Sequence, residues 1–197
     1  MVPESLTSRE KQAIATKKRI YRCGVELIKK YGYDNITVKE IAEKANVSIG
    51  NYYHYFKSKY DLLVEIFKHG DEFFEAEVPK ILDEYKDCKD ILVQYFLVYA
   101  RLSINDGVEM AKNLYIPTNK MFLTHGRSMQ NMLIQILKNE QEKGKIPNTL
   151  DCEEITEKLF IVARGVIFDW CLKDGKTDLL AEMKEIISRM VESYIKK

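Results

Sequence analysis

Apolar residues recur every three or four positions along most of the chain, the spacing of one face of an α-helix. The only β-branched run, 36–38, is too brief for a strand and leads directly into a helical pattern. The pattern therefore predicts an all-α protein. Beyond a head of short helices, it predicts helices over 59–69, 71–86, 89–105, 107–114, 119–143, 152–173 and 178–195, with breaks that include Gly70 and Gly144.

Helix-capping signatures divide the first sixty residues. Thr7 and Thr37 are each followed three residues later by Glu, the capping-box pattern that begins a helix. Gly32 is placed to end the first helix, and Ser48 to cap the third. The second helix should end near Ala45, only a few residues before Ser48. Two short helices separated by so small a gap predict a helix-turn-helix.

Charge is distributed unevenly between this head and the rest of the chain. Residues 1–60 hold 12 Lys or Arg and 6 Asp or Glu, a net charge of +6, whereas the remaining residues carry −5. A basic head on an acidic body favours contact with a polyanion such as nucleic acid, although solvated helix faces give similar clusters.

Several classes of protein find no support in the sequence. The four cysteines and three histidines have no metal-ligand spacing, so we expect reduced thiols, no metal and no cofactor. There is no secretory signal, and the longest uncharged apolar stretch, 91–100, falls short of the ~20 residues that span a bilayer. We therefore expect a cytoplasmic protein without membrane contact. No phosphate loop or nucleophile elbow is present, which argues against an enzyme, although a site assembled from distant residues stays open.

The second helix of the helix-turn-helix should expose a polar and aromatic face. Ile41, Ala42, Ala45, Val47, Tyr52, Phe56 and Leu62 are the expected inward residues, which leaves Ile49, Gly50, Asn51, Tyr53, His54 and Tyr55 outward. No acid occurs between Glu43 and Asp61, whereas Lys57 and Lys59 do. Such a face suits the major groove, because phosphates repel acids and attract lysines. The amide of Asn51 offers the paired donor and acceptor that fit adenine.

Residues 16–64 resemble the TetR (tetracycline-repressor) family of bacterial transcription regulators. The resemblance rests on Tyr31-Gly32-Tyr33, Thr37-Val38-x-x-Ile41-Ala42, Val47-Ser48, Tyr53-His54-Tyr55-Phe56-Lys57-Ser58-Lys59 and Leu62-Leu63. Three positions depart from the family pattern: Asn46 stands where Gly is usual, Asn51 where a small or hydroxyl residue is usual, and Tyr52 where an aliphatic one is usual. Asn tolerates the left-handed backbone that the first position requires.

The resemblance implies DNA-contact roles for matching positions. Thr37 caps its helix and faces a phosphate, Lys39 lies on the same edge, and Lys59 contacts a phosphate. The arm before the first helix would reach the minor groove. The full set of DNA-binding candidates is Thr37, Lys39, Ser48, Ile49, Gly50, Asn51, Tyr53, His54, Tyr55, Lys57 and Lys59.

The resemblance also implies a small-molecule effector bound in the C-terminal body, whose binding shifts the recognition helices and releases the operator. Arg164 is the only charge between Leu159 and Phe168, and a buried Arg requires a carboxylate from the protein or from a ligand. The alternative is that the aromatic candidates are simply core. The candidates are Phe96, Tyr99, Tyr115, Met121, Phe122, Arg164 and Phe168, with Glu109, His125 and Arg127 as further polar anchors.

The last two helices predict a homodimer through a four-helix bundle, with a monomer that buries both faces as the alternative. Residues 155–172 are apolar almost all round, the pattern of a helix buried on every side. The predicted dimerisation residues are Leu159, Val166, Trp170, Leu180, Met183, Ile187 and Met190.

The predicted organisation is a three-helix DNA-binding head over 1–60 and a helical effector-binding and dimerisation body over 61–197. The predicted function is a homodimeric repressor that binds a palindromic operator in double-stranded DNA and is released by a small molecule. The alternative is a co-regulator of the same fold that acts through protein contacts without reading DNA.

Overall fold

The computed structural model describes residues 7–196 and, across that range, contains α-helices and one 3₁₀ turn but no strand. The all-α prediction is confirmed. The helices are α1 (Ser8–Tyr31), α2 (Val38–Lys44), α3 (Ile49–Tyr55), α4 (Lys59–Glu84), α5 (Cys88–Asp106), α6 (Val108–Leu114), α7 (Ser128–Glu142), α8 (Cys152–Leu172) and α9 (Leu179–Glu192), and the 3₁₀ turn is Lys120–Leu123.

The predicted capping boxes begin the first two helices. The Thr7 hydroxyl accepts a hydrogen bond from the Glu10 backbone N–H, and the Glu10 carboxylate accepts one from the Thr7 backbone N–H. The same reciprocal pair joins Thr37 and Glu40. The arm predicted to reach the minor groove lies largely outside the described residues, which begin at Thr7 itself.

The chain divides into two compact units, the first extending to Phe67 and the second beginning at Lys68. The boundary falls within α4, whereas the sequence pattern placed it at residue 60. In the first unit, the expected inward residues of the helix-turn-helix are buried, apart from Val47, which is half-buried. Gly24 of α1 is also buried, and a Cβ there would lie 2.4 Å from Leu62 Cδ2, so the packing leaves no room for a side chain.

The helix break predicted at Gly70 is wrong, because α4 runs through that position without interruption. A Cβ at Gly70 would lie 3.3 Å from Leu102 Cδ2, a tight contact. Glycine here serves close packing of α4 and α5 rather than a turn.

The single helix predicted over 119–143 is also wrong. The chain forms the Lys120–Leu123 3₁₀ turn, passes through Gly126 at φ 74°, and begins α7 only at Ser128. A positive φ is incompatible with a continuing right-handed helix, so Gly126 separates the two elements.

Helix α8 is predicted to be buried on every side, but within the described chain one of its faces is exposed. Ile161, Phe168 and Leu172 are 52%, 48% and 68% exposed. Together with the exposed Gly165 they follow helical spacing along one face, and we call these four residues the α8 stripe.

Most of the residues predicted to form the dimer contact lie in the core of the single chain instead. Leu159, Val166, Trp170, Met183 and Ile187 are buried in the core of the single chain and cannot present a surface to a second copy. Leu180 and Met190 are half-buried and pack against the same core. Most apolar residues of α8 and α9 therefore pack into the core of the second unit.

Candidate functional site

Helix α3 is held by backbone geometry at its start. Asn46 adopts φ 52°, the left-handed conformation expected where the family usually has glycine. Ser48 then caps α3 by accepting a hydrogen bond from the Asn51 backbone N–H. Arg19 of α1 donates its Nε–H to the Ala45 carbonyl oxygen over 2.9 Å, which fixes the end of α2 just before the turn. The sequence pattern did not identify this role of Arg19.

Tyr52 anchors α3 from its inner side. Its ring is completely buried beside Phe56, and its hydroxyl donates a hydrogen bond to the Ser58 carbonyl oxygen at the start of α4. Burial raises the pKa of Tyr52 to about 12. The tyrosine that departs from the family pattern therefore joins α3 to α4 as well as filling the core.

The opposite side of α3 is exposed as predicted. Nine of the eleven DNA-binding candidates are exposed, and the other two, Tyr55 and Lys59, are half-buried. We call Ile49, Gly50, Asn51, Tyr53 and His54 the recognition face. The Asn51 side chain forms no hydrogen bond with any described residue, so both ends of its amide are available.

Thr37 and Lys59 are among the candidates that already have internal partners. The Thr37 hydroxyl donates to the Glu40 carboxylate over 2.7 Å, and the hydrogen bonds from Thr37 hold the pKa of Glu40 below its usual range. Lys59 Nζ donates to the carbonyl oxygens of Tyr33 and Ile36, over 2.7 and 2.9 Å. By contrast, Lys57 is exposed and its ammonium has no partner among residues 7–196.

The second unit contains a cavity of about 560 Å³ between α7, α8 and the segment that joins the 3₁₀ turn to α7. This volume is in the range of pockets that hold one small organic molecule. Of the seven effector candidates, Phe122 and Arg164 line this cavity, and so does His125.

The remaining effector candidates do not line this cavity. Phe96 and Met121 are buried, and Phe168 lies on the exposed α8 stripe. The hydroxyl groups of Tyr99 and Tyr115 are 2.9 Å apart, and burial raises the pKa of both. The alternative that these aromatics are core holds for Phe96 and Tyr99.

Two of the predicted polar anchors form ion pairs within the protein. Arg127 pairs with Asp71 over 3.2 Å, and Glu109 pairs with Lys112 over 2.9 Å. Asp71 Oδ1 also accepts a hydrogen bond from the Met129 backbone N–H, so the start of α7 is tied to α4.

One face of α8 forms a wall of the cavity through Thr156, Phe160 and Arg164, which are spaced four residues apart. Thr156 is only 4% exposed, and its hydroxyl has no hydrogen-bond partner among the described residues. The sequence analysis missed Thr156 and Phe160, although their spacing from Arg164 is visible in the sequence.

Charge within the cavity is divided between its two ends. Arg164 donates to the Phe122 carbonyl oxygen over 3.3 Å and lies over the Phe122 ring, but forms no ion pair with a described carboxylate. Acidic residues gather near the start of α8, where they also complement the helix dipole. These lining acids are Asp151, Glu153, Glu154 and Glu157.

No group of three or more His, Cys, Asp or Glu side chains within 7–196 is arranged to hold a metal ion. No helix in the same range combines the length and apolar character needed to cross a bilayer.

Comparisons with known proteins agree with this architecture. Residues 20–66 match the family model of bacterial regulatory proteins, tetR family. The fatty acid metabolism regulator protein of Bacillus subtilis (strain 168) is 26% identical over 187 residues, which cover 91% of this chain and 95% of that protein. The uncharacterized HTH-type transcriptional regulator YvkB of the same strain is 30% identical over 155 residues, covering 70% and 74%.

A solved structure gives the same result for the fold. The crystal structure of a transcriptional regulator FadR from Bacillus subtilis, in complex with stearoyl-CoA, superposes with a TM-score of 0.70. The match covers 88% of this chain and 96% of that one, at 24% identity. At this identity the likeness shows the shared fold alone.

Proposed function

Because the chain belongs to the TetR family of bacterial regulatory proteins, we propose that it is a homodimeric repressor released from a palindromic operator by a small molecule. The relatives in the comparison are transcriptional regulators. No residue is assigned a catalytic role, and the protein would act in the cytoplasm, where chromosomal DNA lies.

The recognition face is the observation that carries this proposal. It is exposed, contains no acid, and presents the amide of Asn51 without a partner among residues 7–196. A helix of this kind enters the major groove with side chains directed at base edges, while nearby lysines neutralise phosphates. Lys57 and Lys39 are exposed on the same unit and supply that charge.

The α8 stripe supports a homodimer. Phe168, Leu172 and Ile161 form an exposed apolar row, and Gly165 among them has no side chain to hold a second helix away. An α8 stripe that packs against its copy gives a two-fold contact, in which the same surface is used by both protomers. Ile186 of α9 is exposed as well and would extend the contact.

The cavity in the second unit supports a small-molecule effector. Its walls combine aromatic surface from Phe122 and Phe160 with the polar groups of Arg164 and Thr156, a composition typical of ligand pockets. The FadR structure with stearoyl-CoA is consistent with a ligand that carries an apolar chain.

The decisive experiment is fluorescence anisotropy with DNA from immediately upstream of the protein's own coding region, measured over a salt series. We expect tight binding that falls steeply with salt and exceeds binding to scrambled DNA of equal length. The test variant is Asn51→Ala, and its matched control is Asn139→Ala, which truncates an amide outside the DNA-binding unit.

The alternative function gives a different result. Weak binding that is equal on both DNAs, with unchanged values for Asn51→Ala, would reject operator binding at this site. Screening the same protein against a library of genomic fragments then separates an operator located elsewhere from a co-regulator that does not read DNA.

A further inference from the structure

Arg164 is the arginine that lines the cavity, and it forms one hydrogen bond with the described residues. A guanidinium has five N–H donors, and here one of them reaches the Phe122 carbonyl oxygen over 3.3 Å. No carboxylate among residues 7–196 pairs with it, although Glu157 lines the same cavity. The planar guanidinium of arginine matches a carboxylate in two parallel hydrogen bonds. The remaining N–H donors of Arg164 therefore fit an acidic group of a ligand.

Thr156 supplies a second and independent indication of a ligand. Thr156 lines the cavity and is only 4% exposed, and its buried hydroxyl lacks any partner in the described chain. A buried hydroxyl without a hydrogen bond costs free energy, so such a group in a cavity wall is suited to a polar atom of a ligand.

The order of groups along α8 defines the shape of that ligand. Thr156 and Arg164 are separated by two turns, about 12 Å along the helix axis, and Phe160 lies between them on the same face. The opposite wall adds Ile134 and Phe122. An extended molecule with an apolar middle and a polar group at each end therefore fits the wall.

The acids near Thr156 limit the charge that the ligand can carry. Asp151, Glu153, Glu154 and Glu157 all line the Thr156 end of the cavity. One negative charge can be held at Arg164, away from them. A head with several phosphates would experience repulsion from these carboxylates with only Arg164 and His125 to offset it.

We propose that this cavity binds an amphipathic monocarboxylate, with its carboxylate on Arg164, its apolar chain along Phe160, and a hydrogen-bonding group at its far end on Thr156. This inference rests on the proposed effector-controlled repressor and specifies the chemistry of its ligand. It distinguishes the chain from the FadR structure that holds stearoyl-CoA, because a free acid is preferred here over a CoA thioester.

The test is isothermal titration calorimetry on the full chain with probes that share a twelve-carbon chain, each kept below its micelle concentration. The probes are laurate, ω-hydroxylaurate, lauroyl-CoA and dodecyltrimethylammonium. We expect ω-hydroxylaurate to bind most tightly, then laurate, with lauroyl-CoA and the ammonium compound at least tenfold weaker. Tighter binding of lauroyl-CoA or of the ammonium compound would overturn the proposal.

Variants assign the two ends of the ligand. Arg164→Met should weaken both carboxylates tenfold or more, and Arg164→Lys, which keeps the charge without the fork, should recover part of that loss. Thr156→Val should abolish the advantage of ω-hydroxylaurate over laurate and leave laurate unchanged. Arg189→Met is the matched control, since Arg189 is an exposed arginine outside the cavity. Equal affinities for Arg164→Met, Arg164→Lys and the parent would refute the carboxylate site.

Adding the same probes to the DNA complex separates this inference from the proposed function. Laurate that binds the cavity without releasing DNA would support the site and reject its effector role. Operator binding that is intact in a protein with no affinity for either carboxylate would reject the monocarboxylate alone.

Discussion

Lys59 and Tyr33 are joined twice, since the Lys59 ammonium donates a hydrogen bond to the Tyr33 carbonyl oxygen over 2.7 Å and lies 4.4 Å from the centre of its ring. The same ammonium reaches the Ile36 carbonyl oxygen. Lys59 thus holds the loop between α1 and α2 against the start of α4. An ammonium has three N–H donors, so one is left to contact a phosphate.

Replacing Lys59 with Met should lower both stability and DNA affinity. The substitution keeps the apolar stem but removes the hydrogen bonds to the loop, a loss of about 1–3 kcal/mol. Lys57→Ala should weaken DNA binding and reduce the salt dependence by about one phosphate contact, without changing the melting temperature. Thermal denaturation and anisotropy on the two variants test this. An unchanged melting temperature for Lys59→Met would contradict the structural role.

Asn51→Ala should change which base is preferred at one operator position. If the free amide of Asn51 contacts an adenine through two hydrogen bonds, its removal costs ~1–3 kcal/mol of discrimination. Selection from a randomised site, followed by sequencing, measures the preference. Lys57→Ala serves as the comparison, because it should weaken all sequences alike, and identical base preferences for Asn51→Ala and the parent would exclude the contact.

Tyr52 should make the first unit sensitive to alkaline pH. Its pKa is about 12 in the folded chain and about 10 when unfolded, so the neutral phenol favours folding and this contribution is lost as pH rises from about 10 to about 12. Tyr52→Phe should cost ~1 kcal/mol at neutral pH, since the Ser58 carbonyl oxygen loses its donor. Urea denaturation near neutral pH and at about pH 11 should show the difference between parent and variant shrinking, and a constant difference would argue against it.

Phe168→Glu should convert the homodimer to monomer. It places a charge in the centre of the α8 stripe, where burial against a second copy would leave that charge without a partner. Size-exclusion chromatography with light scattering measures the mass. Gln135→Glu adds the same charge at an exposed position of α7 and should remain dimeric. A dimeric Phe168→Glu would exclude this surface as the interface.

Local signals in the sequence were sufficient for the helix starts and for the exposed face of α3 in the first unit. Hydrogen bonds between residues three positions apart begin α1 and α2, and they depend only on Thr7, Thr37 and the glutamates that follow. The exposed side of α3 also followed from periodicity, because burial of Tyr52 and Phe56 fixes which residues face outward. Such relationships lie within one or two helical turns and are therefore readable from the chain.

Other features depended on partners distant in sequence. Gly70 suggests a break, but α5 packs against it, and only the position of Leu102 shows that the glycine serves a close contact. The sequence predicts only a phosphate contact for Lys59, whereas in the structure its ammonium also donates hydrogen bonds to the carbonyl oxygens of Tyr33 and Ile36.

The sequence by itself determined the all-α fold, the helix-turn-helix, and the family, because each is encoded by periodicity, caps and a dense local motif. The tertiary structure decided how the apolar faces of α8 and α9 are divided, with Ile187 in the core and Phe168 in solvent. It also decided which polar groups line the cavity. Among residues 7–196, Arg164 has no carboxylate partner there and the Thr156 hydroxyl has no hydrogen-bond partner. Both outcomes depend on which helices pack together. The helical period shows on which face of its helix a residue lies, but not which residue of another helix it contacts.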